Sequence, residues 1–271
     1  MSDFLNDALF QNMRDYIYGE SGIHFSESNR SILESRLKER LRSLETETPA
    51  RYLDLLKKDK EETRYFLDAI TTNLTRFFRN QAHYDTFINF VIPDLVKHKS
   101  SGEHRIRIWS AGCSTGEEPY TNAMVLSEHL PPGWEIEVIA SDLSLKSLMK
   151  AKEGYYPAPR VTGIPETYLH KYFEAKNDGY QVKDNIRSLV RFDYHNLKFD
   201  SSLKNLDIVF CRNVLIYFDE AAQKNVINHF WNAMASHSFL FIGHSESLFG
   251  MDTKFEFIKT DWACLYGKIL G

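Results

Sequence analysis

Residues 106–120, IRIWSAGCSTGEEPY, set Gly112 and Gly116 after an apolar run and follow them with two carboxylates, Glu117 and Glu118. A glycine turn that leads into a helix is a cradle for phosphate or nucleoside groups, and the residue types choose between them. A triphosphate loop needs a lysine after its second glycine, whereas Gly116 is followed by Glu117. A dinucleotide loop needs three glycines so that the backbone can approach a pyrophosphate at a helix N-terminus, and this stretch has only two. Two carboxylates would also repel a diphosphate. A ligand with a cation and hydroxyls suits such a turn, and S-adenosylmethionine carries a sulfonium, an amino group and a ribose diol. The alternative is an ordinary strand-turn-helix connection whose acidic first turn is favoured by the helix dipole.

A third carboxylate fits the same ligand. Residues 135–140 read as a strand that ends in Ser141 and Asp142, about 25 residues past the glycine loop, where an open parallel sheet places its ribose-diol acceptor. Asp142 also suits the N-cap of a helix over 143–152, and the two roles are compatible. TTNLTRFFRN, residues 71–80, suits neither a helix stripe nor a strand face. It reads either as a linker capped by its own threonines and asparagines or as a polar lid over the glycine loop. The apolar run 206–210 enters CRNVLIYFD, residues 211–219, which puts polar groups at the tip of a central strand, the ligand-binding edge of such a sheet. GHSES follows another strand at residues 243–247.

These pieces need a scaffold that gathers strand ends. From Ile106 the chain alternates strand and helix, which predicts an α/β domain, a mainly parallel sheet with helices on both faces. Strands are expected over 106–109, 135–140, 189–192, 206–210 and 239–242, and helices over 117–130, 143–152 and 221–235. Two closing strands near 255–259 and 263–268 suit an antiparallel hairpin. Residues 154–193 break the alternation with a short helical piece, TYLHKYF, and a polar stretch, KNDGYQVKDNI, so they read as an insertion with its own short strands.

Upstream, residues 1–70 place apolar side chains at intervals of three and four and predict a small all-helical domain. Leu5, Leu9, Met13 and Ile17 form one stripe, closed by Gly19 and Gly22, and Ser28 or Asn29 can cap the next helix. There Leu33, Leu37, Leu41 and Leu44 make the core face, while the span 30–42 carries five basic and two acidic residues. The basic residues are either a solvated face or a functional stripe. A linker and lead-in helix, residues 71–104, join this domain to the α/β domain of residues 105–271.

With 271 residues, 43% of them apolar, the chain can bury one large core or two smaller ones. A formal net charge of -4 gives no overall basic field, which argues against a nucleic-acid partner. Cys113, Cys211 and Cys264 are far apart, there is no CxxC pair, and no histidines stand at metal-ligand spacing. A reduced, cytoplasmic protein without a metal is expected. MSDFLNDALF has acidic residues where a signal peptide carries basic ones, and no stretch approaches the ~18 apolar residues of a spanning helix. No direct membrane insertion is expected.

With TTNLTRFFRN, IRIWSAGCSTGEEPY, SDLS, FCRNVLIYFD and GHSES in this order, the sequence closely resembles the CheR family of chemotaxis receptor methyltransferases, over residues 1–271. The resemblance implies a Rossmann-like class I methyltransferase domain with a small inserted antiparallel β-subdomain, preceded by a small all-α N-terminal domain. It implies S-adenosylmethionine as cofactor and S-adenosylhomocysteine as product. The implied reaction is methyl esterification of glutamates on the cytoplasmic domains of methyl-accepting chemotaxis receptors, carried out by a cytoplasmic monomer. Position by position, the resemblance puts Asn73, Thr75 and Arg79 on the cofactor from the linker side and one of Glu117 and Glu118 near the methionine amino group. It puts Asp142 on the ribose, Asn196 and Leu197 beside the adenine, Cys211 and Arg212 along the edge, and Tyr217 close to the transferred methyl. Cys113 stands where the family often has a small residue, and a thiol there behaves as a small apolar side chain. KNDGYQVKDNI is shorter than the glycine-containing loop of members that dock on a receptor tail peptide, so tail tethering is not part of the expectation.

A glutamate carboxylate is already ionised at neutral pH, so its methylation needs no general base; alignment and loss of water are the task. His195 and His244 are then structural or edge residues. Arg79 and Tyr217 become the candidates to orient the reacting groups, by charge-assisted and phenolic hydrogen bonds. Receptor methylation segments are helices bearing glutamates, so the basic helix is a candidate substrate contact through Arg36, Arg40 and Arg42. Residues 1–70 as a whole hold 11 basic and 14 acidic side chains, so only a local patch serves. The rival readings are a methyltransferase for RNA or a small molecule, and a non-catalytic module that binds the cofactor and docks on receptors.

Overall fold

The computed structural model describes residues 4–44, 48–71, 74–100 and 102–270. Four helices open the chain: α1 (Asp7–Ser21), α2 (Arg30–Ser43), α3 (Pro49–Lys58) and α4 (Lys60–Ile70). Asn6 caps α1 by accepting from the Leu9 N–H, Thr48 caps α3 ahead of Pro49, and Asp59 caps α4 by accepting from the N–H groups of Glu61 and Glu62. The expected side-chain cap of α2 is not made. Asn29 holds the N-cap position without a capping bond, and Ser28 pairs with Ser26 instead, because a 3-10 turn over Glu27–Asn29 already engages the Arg30 N–H. Phe10, Met13 and Ile17 bury one face of α1 against Leu33, Leu37 and Leu41 of α2 and Tyr52, Leu56, Phe66 and Ile70 of α3 and α4. Leu9, expected in that stripe, is only half-buried; Phe10 takes the inward position.

Residues 81–98 form one lead-in helix in three parts: α5 (Gln81–Thr86), a π-helical stretch over Phe87–Val91, and α6 (Ile92–His98). Pro93 supplies no N–H and its ring crowds the turn before it, which is where the wider winding sits.

The α/β domain then runs β1 (Arg105–Ala111), α7 (Glu117–His129), β2 (Glu135–Asp142), α8 (Leu145–Glu153), β3 (Tyr155–Pro157), α9 (Glu166–Tyr172), β4 (Phe173–Lys176), β5 (Gly179–Val182), α10 (Asp184–Arg187), β6 (Val190–Tyr194), β7 (Leu206–Cys211), α11 (Glu220–Ala233), β8 (Met234–Ile242), β9 (Glu256–Lys259) and β10 (Cys264–Ile269). Seven strands make one sheet in the order β6-β2-β1-β7-β8-β10-β9, parallel through β8 and antiparallel at β10 and β9. Every residue of β7 is buried, as a central parallel strand covered on both faces must be. Alternation along β1 sends Ile106 and Ile108 into a core with Tyr84, Phe87, Met124 and Phe210, and Trp109 and Ala111 into another with Phe230, Leu240 and Leu215. β8 begins at Met234, earlier than its apolar run. Its first residues are drawn into the sheet by β10, where His237 pairs with Ile269 and Ser238 with Lys268.

The insertion forms a separate three-stranded antiparallel sheet in the order β3-β5-β4. Tyr172 Oη donates to Glu128 of α7 at 2.5 Å, and Tyr156 Oη donates to the Thr115 carbonyl at 2.7 Å. Both bonds hold it against the glycine turn and the helix that follows. Among the described residues no helix is long and apolar enough to cross a membrane.

Candidate active site

β2 lies on one side of β1 and β7 on the other, so the strand order reverses between β1 and β7 and a crevice opens beyond their C-terminal ends. A cavity of about 360 Å³ occupies it. That is within the ~300–1,000 Å³ of small-molecule sites. Three parts of the chain converge there: the strand ends with the glycine turn, the linker from Leu74 to Arg79, and the turn between α1 and α2.

The turn depends on its glycines. Gly112 has φ +82°, and a Cβ there would lie 2.5 Å from Val214 Cγ2; Gly116 has φ +94°, and a Cβ would meet Ala151 Cβ at 2.8 Å. Asp142, at the end of β2, accepts from the Ser114 N–H at 2.7 Å and the Ser144 N–H at 2.8 Å, which ties the turn to the neighbouring strand. Ser144 itself is the N-cap of α8, with its hydroxyl accepting from the Ser147 N–H, so Asp142 is not the helix cap. Burial pushes the Asp142 carboxyl above the ordinary carboxylate range, against the pull of those backbone donors.

The two adjacent glutamates have different fates. Glu117 is fully buried away from the cavity, accepts from Thr115 Oγ1 at 2.7 Å, and is paired with Arg160 of the insertion. Glu118 lines the cavity and accepts from Ser110 Oγ at 2.6 Å. Opposite it stands Arg212, just past β7, whose Nη1 lies 3.5 Å from Glu118 Oε2. One more Arg212 nitrogen, Nη2, donates to the Arg79 carbonyl. Among the described residues Arg212 Nε and Nη1 have no hydrogen-bond partner, although the side chain is only 3% exposed. Burial raises the Glu118 carboxyl above its usual range, with Arg212 pulling the other way.

A buried cation with unused donors, a carboxylate with free lone pairs and a strand-end aspartate face one cavity, and this donor set matches a ligand that carries a carboxylate, a cation and hydroxyls. Two families of known domains cover the chain: the CheR methyltransferase all-alpha domain over residues 8–71 and the CheR methyltransferase SAM binding domain over residues 73–264. This chain belongs to the CheR methyltransferase family. It is 38% identical over 252 residues to chemotaxis protein methyltransferase 2 of Vibrio cholerae, covering 90% of this chain and 87% of that one. It is 38% identical over 244 residues to a chemotaxis protein methyltransferase of Borreliella burgdorferi, with 86% of each chain covered, and 34% identical over 264 residues to that of Escherichia coli, with 93% and 88% covered. The α/β domain is thus a methyltransferase domain that binds S-adenosylmethionine.

Thr75, Arg79, Glu118, Asp142, Asn196, Leu197, Arg212 and Tyr217 all line the CheR cavity. Asn73 lies outside the described residues. Glu117 and Cys211 do not reach the cavity. Glu117 turns toward the insertion, and strand alternation points Cys211 into the core with Leu215 and Val226, where burial pushes its thiol up. Arg40 is not an outward charge either. It grips the buried Glu62 with two bonds, 2.7 Å from Nε and 2.5 Å from Nη2, so the basic stripe of α2 is shorter than its sequence. Arg36 sits 3.6 Å from Glu39, and Arg42 is exposed.

Residues not anticipated complete the wall. Ile23, His24, Phe25 and Ile32 come from the α1–α2 region, so the helical domain closes one side of the site. His24 N–H donates to the Tyr217 carbonyl at 2.8 Å, and Ile23 bridges to Phe218. Glu246 explains GHSES: it accepts from Asn213 N–H at 2.9 Å and Ile216 N–H at 3.3 Å and so fixes the loop that carries Tyr217. His195 is in the wall too, its pKa lowered by burial. Four non-glycine residues with positive φ, Phe78, Asn80, Ser114 and Asn213, lie in or beside this wall, the backbone strain that functional sites concentrate.

Proposed function

We propose that this chain methylates the γ-carboxylate of glutamates on the cytoplasmic helices of chemotaxis receptors, using S-adenosylmethionine and releasing S-adenosylhomocysteine. What supports the reading is the half-satisfied Arg212–Glu118 couple beside Asp142, together with relatives that are chemotaxis protein methyltransferases. When bound, the cofactor supplies a methyl group activated by its sulfonium. The acceptor carboxylate is ionised at neutral pH and has no proton to lose, so no side chain need act as a base.

The protein's own task is binding and alignment. Arg212 has the unused donors to hold the methionine carboxylate, and Glu118 has the lone pairs for the amino group. Asp142 accepts the ribose hydroxyls while its backbone bonds keep it aimed. Asn196 and Leu197 flank the base, with His195, neutral in its buried setting, as part of the same wall. Thr75 and Arg79 close the site from the linker, Arg79 being steadied by its bond to the Leu74 carbonyl at 2.9 Å. Tyr217, held through its carbonyl by His24 and through its loop by Glu246, is the group that orients the acceptor. Ile23, Phe25, Val214 and Phe218 exclude water. Exposed Ile32, Leu74 and Ile216 rim the opening, and Arg36 and Arg42 continue along α2 as the charges offered to acidic receptor helices.

The test is transfer of labelled methyl from S-adenosylmethionine to a receptor cytoplasmic fragment. Label that is released as methanol by mild alkali, and lost when the receptor glutamates are replaced by alanine, is the expected result. Binding of cofactor with no transfer to any receptor fragment, or an alkali-stable product, would overturn it.

A further inference from the structure

A second polar cluster lies apart from the cavity, where α6 meets the start of β8. Asp94 and His98 are one helical turn apart and leave the same face of α6. His237 comes to them from β8, five residues before the strand's C-terminal end, or roughly 16 Å down the strand at ~3.3 Å per residue. His237 Nε2 lies 2.5 Å from Asp94 Oδ1, and His98 Nδ1 lies 3.5 Å from the same oxygen and 2.9 Å from the Asp94 carbonyl oxygen. The two imidazoles stack with centroids 4.0 Å apart. One ligand atom from each of the three residues falls within 4.8 Å of the others.

Two imidazoles and one carboxylate are the donor set of zinc and its neighbours, bound at ~2.0–2.2 Å, whereas magnesium and calcium prefer oxygen alone. Around a tetrahedral ion with such bonds the ligand atoms stand ~3.3 Å apart, a value the 2.5 Å and 3.5 Å spacings to Asp94 Oδ1 bracket, and aiming both in-plane lone pairs at one ion takes a turn of the His98 ring out of its stack with His237 and off the Asp94 carbonyl. His98, on the solvent side, is half-exposed and has room to turn; Asp94 and His237 are about one-quarter exposed, which leaves an entry path. Phe239 packs edge-on against His237 at 5.6 Å, with Phe90 behind it, an apolar shell of the kind that limits water around a bound ion.

We propose that Asp94, His98 and His237 bind one divalent ion of the zinc class, which fastens the lead-in helix to the first residues of β8 and takes no part in methyl transfer. Three protein ligands leave the fourth position to water. The lead-in helix carries at its other end the linker that lines the cavity, so the ion steadies the scaffold rather than the chemistry.

The full chain, without a histidine tag and freed of metal by chelator, is titrated with zinc by calorimetry and with cobalt(II) by visible absorption. One equivalent should bind with micromolar affinity, give nitrogen- and oxygen-ligated cobalt bands without a near-ultraviolet thiolate band, and raise the melting temperature. His98→Gln and His237→Gln should each weaken binding beyond the ~100-fold that loss of an outer-shell partner can cost, and abolish the melting shift. S-adenosylhomocysteine affinity should be the same in all three proteins. If the His237 variant folds poorly, His98→Gln decides alone, because its side chain is half-exposed. No heat and no melting shift in submillimolar zinc, equal binding by wild type and His98→Gln, or a thiolate band pointing to the exposed Cys264 would each overturn the proposal.

Discussion

Each domain of this protein holds a glutamate paired with an arginine out of bulk solvent, and the two pairs are built in opposite ways. In the helical domain Arg40 meets Glu62 with both prongs of its guanidinium, and Tyr52 donates to the same carboxylate at 2.5 Å. In the α/β domain Arg212 stands 3.5 Å from Glu118 and keeps two nitrogens without a hydrogen bond. Exposure does not separate them: the side chains are 21% and 7% exposed in the first pair, 3% and 13% in the second. Saturation does. A pair whose donors and acceptors are all spent is part of the scaffold, while one that keeps unspent groups against a cavity is waiting for a ligand.

The largest test of that distinction removes one glutamate from each pair. Glu62→Ala strands Arg40 and Tyr52 and is expected to cost about 3–5 kcal/mol of stability in urea denaturation. Glu118→Gln should cost less stability and at least ~10-fold in S-adenosylmethionine affinity, the loss of a charged hydrogen bond of ~1.5–3 kcal/mol. Equal stability losses with unchanged cofactor affinity would dissolve the comparison.

Arg212 also acts at a distance. Burial, helped by the charges of Arg212 and His244, lowers the His83 pKa to about 3. A folded pKa below the unfolded value means stability that is complete above the unfolded pKa, near ~6.5, and is lost as pH falls toward the folded one. About 3 kcal/mol should be gone by pH ~4, and His83→Gln should flatten that part of the stability curve. An unchanged curve in the variant would show that other groups dominate acid unfolding.

Asp142→Ala is expected to weaken cofactor binding by about 1–3 kcal/mol, read by calorimetry, since the diol loses its charged acceptor. Both Asp142 and Glu118 have carboxyls raised by burial. A raised folded pKa favours the free protein at low pH, whereas a cationic ligand needs the ionised forms. Affinity should therefore fall as pH drops, beginning above the ordinary carboxylate range of ~4. A flat affinity down to that range would remove Glu118 from the ammonium site.

The smallest effect concerns α2. Reversing Arg36 and Arg42 to glutamate should raise the receptor KM a few-fold at low salt and leave stability within ~0.5 kcal/mol, with the effect fading toward ~0.5 M salt. Arg40→Gln should instead destabilise the domain as Glu62→Ala does. Were Arg40→Gln to change only KM, its pair with Glu62 would belong to recognition after all.

Much of the fold was open to reading from the chain alone. The leucine spacing of α2, the apolar runs of β1 and β7 and the glycine turn depend on each residue's near neighbours and on the periods 3.6 and 2, so the α/β domain, its insertion and the helical domain followed. The carboxylates around the turn also spoke for a cationic, hydroxyl-bearing ligand, because charge and hydrogen-bonding capacity belong to residue types. Which of two adjacent glutamates faced the cavity did not follow. Glu117 and Glu118 are equivalent until Arg160, 43 residues on, claims the first and leaves the second to the cavity.

The same limit applies to the charges of α2 and to the histidines. Arg40 looked free because its partner Glu62 lies 22 residues away on another helix, and His98 showed no metal-ligand spacing because His237 reaches Asp94 across 143 residues. The closure of the site by the α1–α2 turn was hidden likewise, since Ile23 and His24 meet Phe218 and Tyr217 only when the two domains pack. Periodicity and residue chemistry are local and survive in one dimension; the partner that saturates a polar group is chosen by packing, and only the folded chain brings it near.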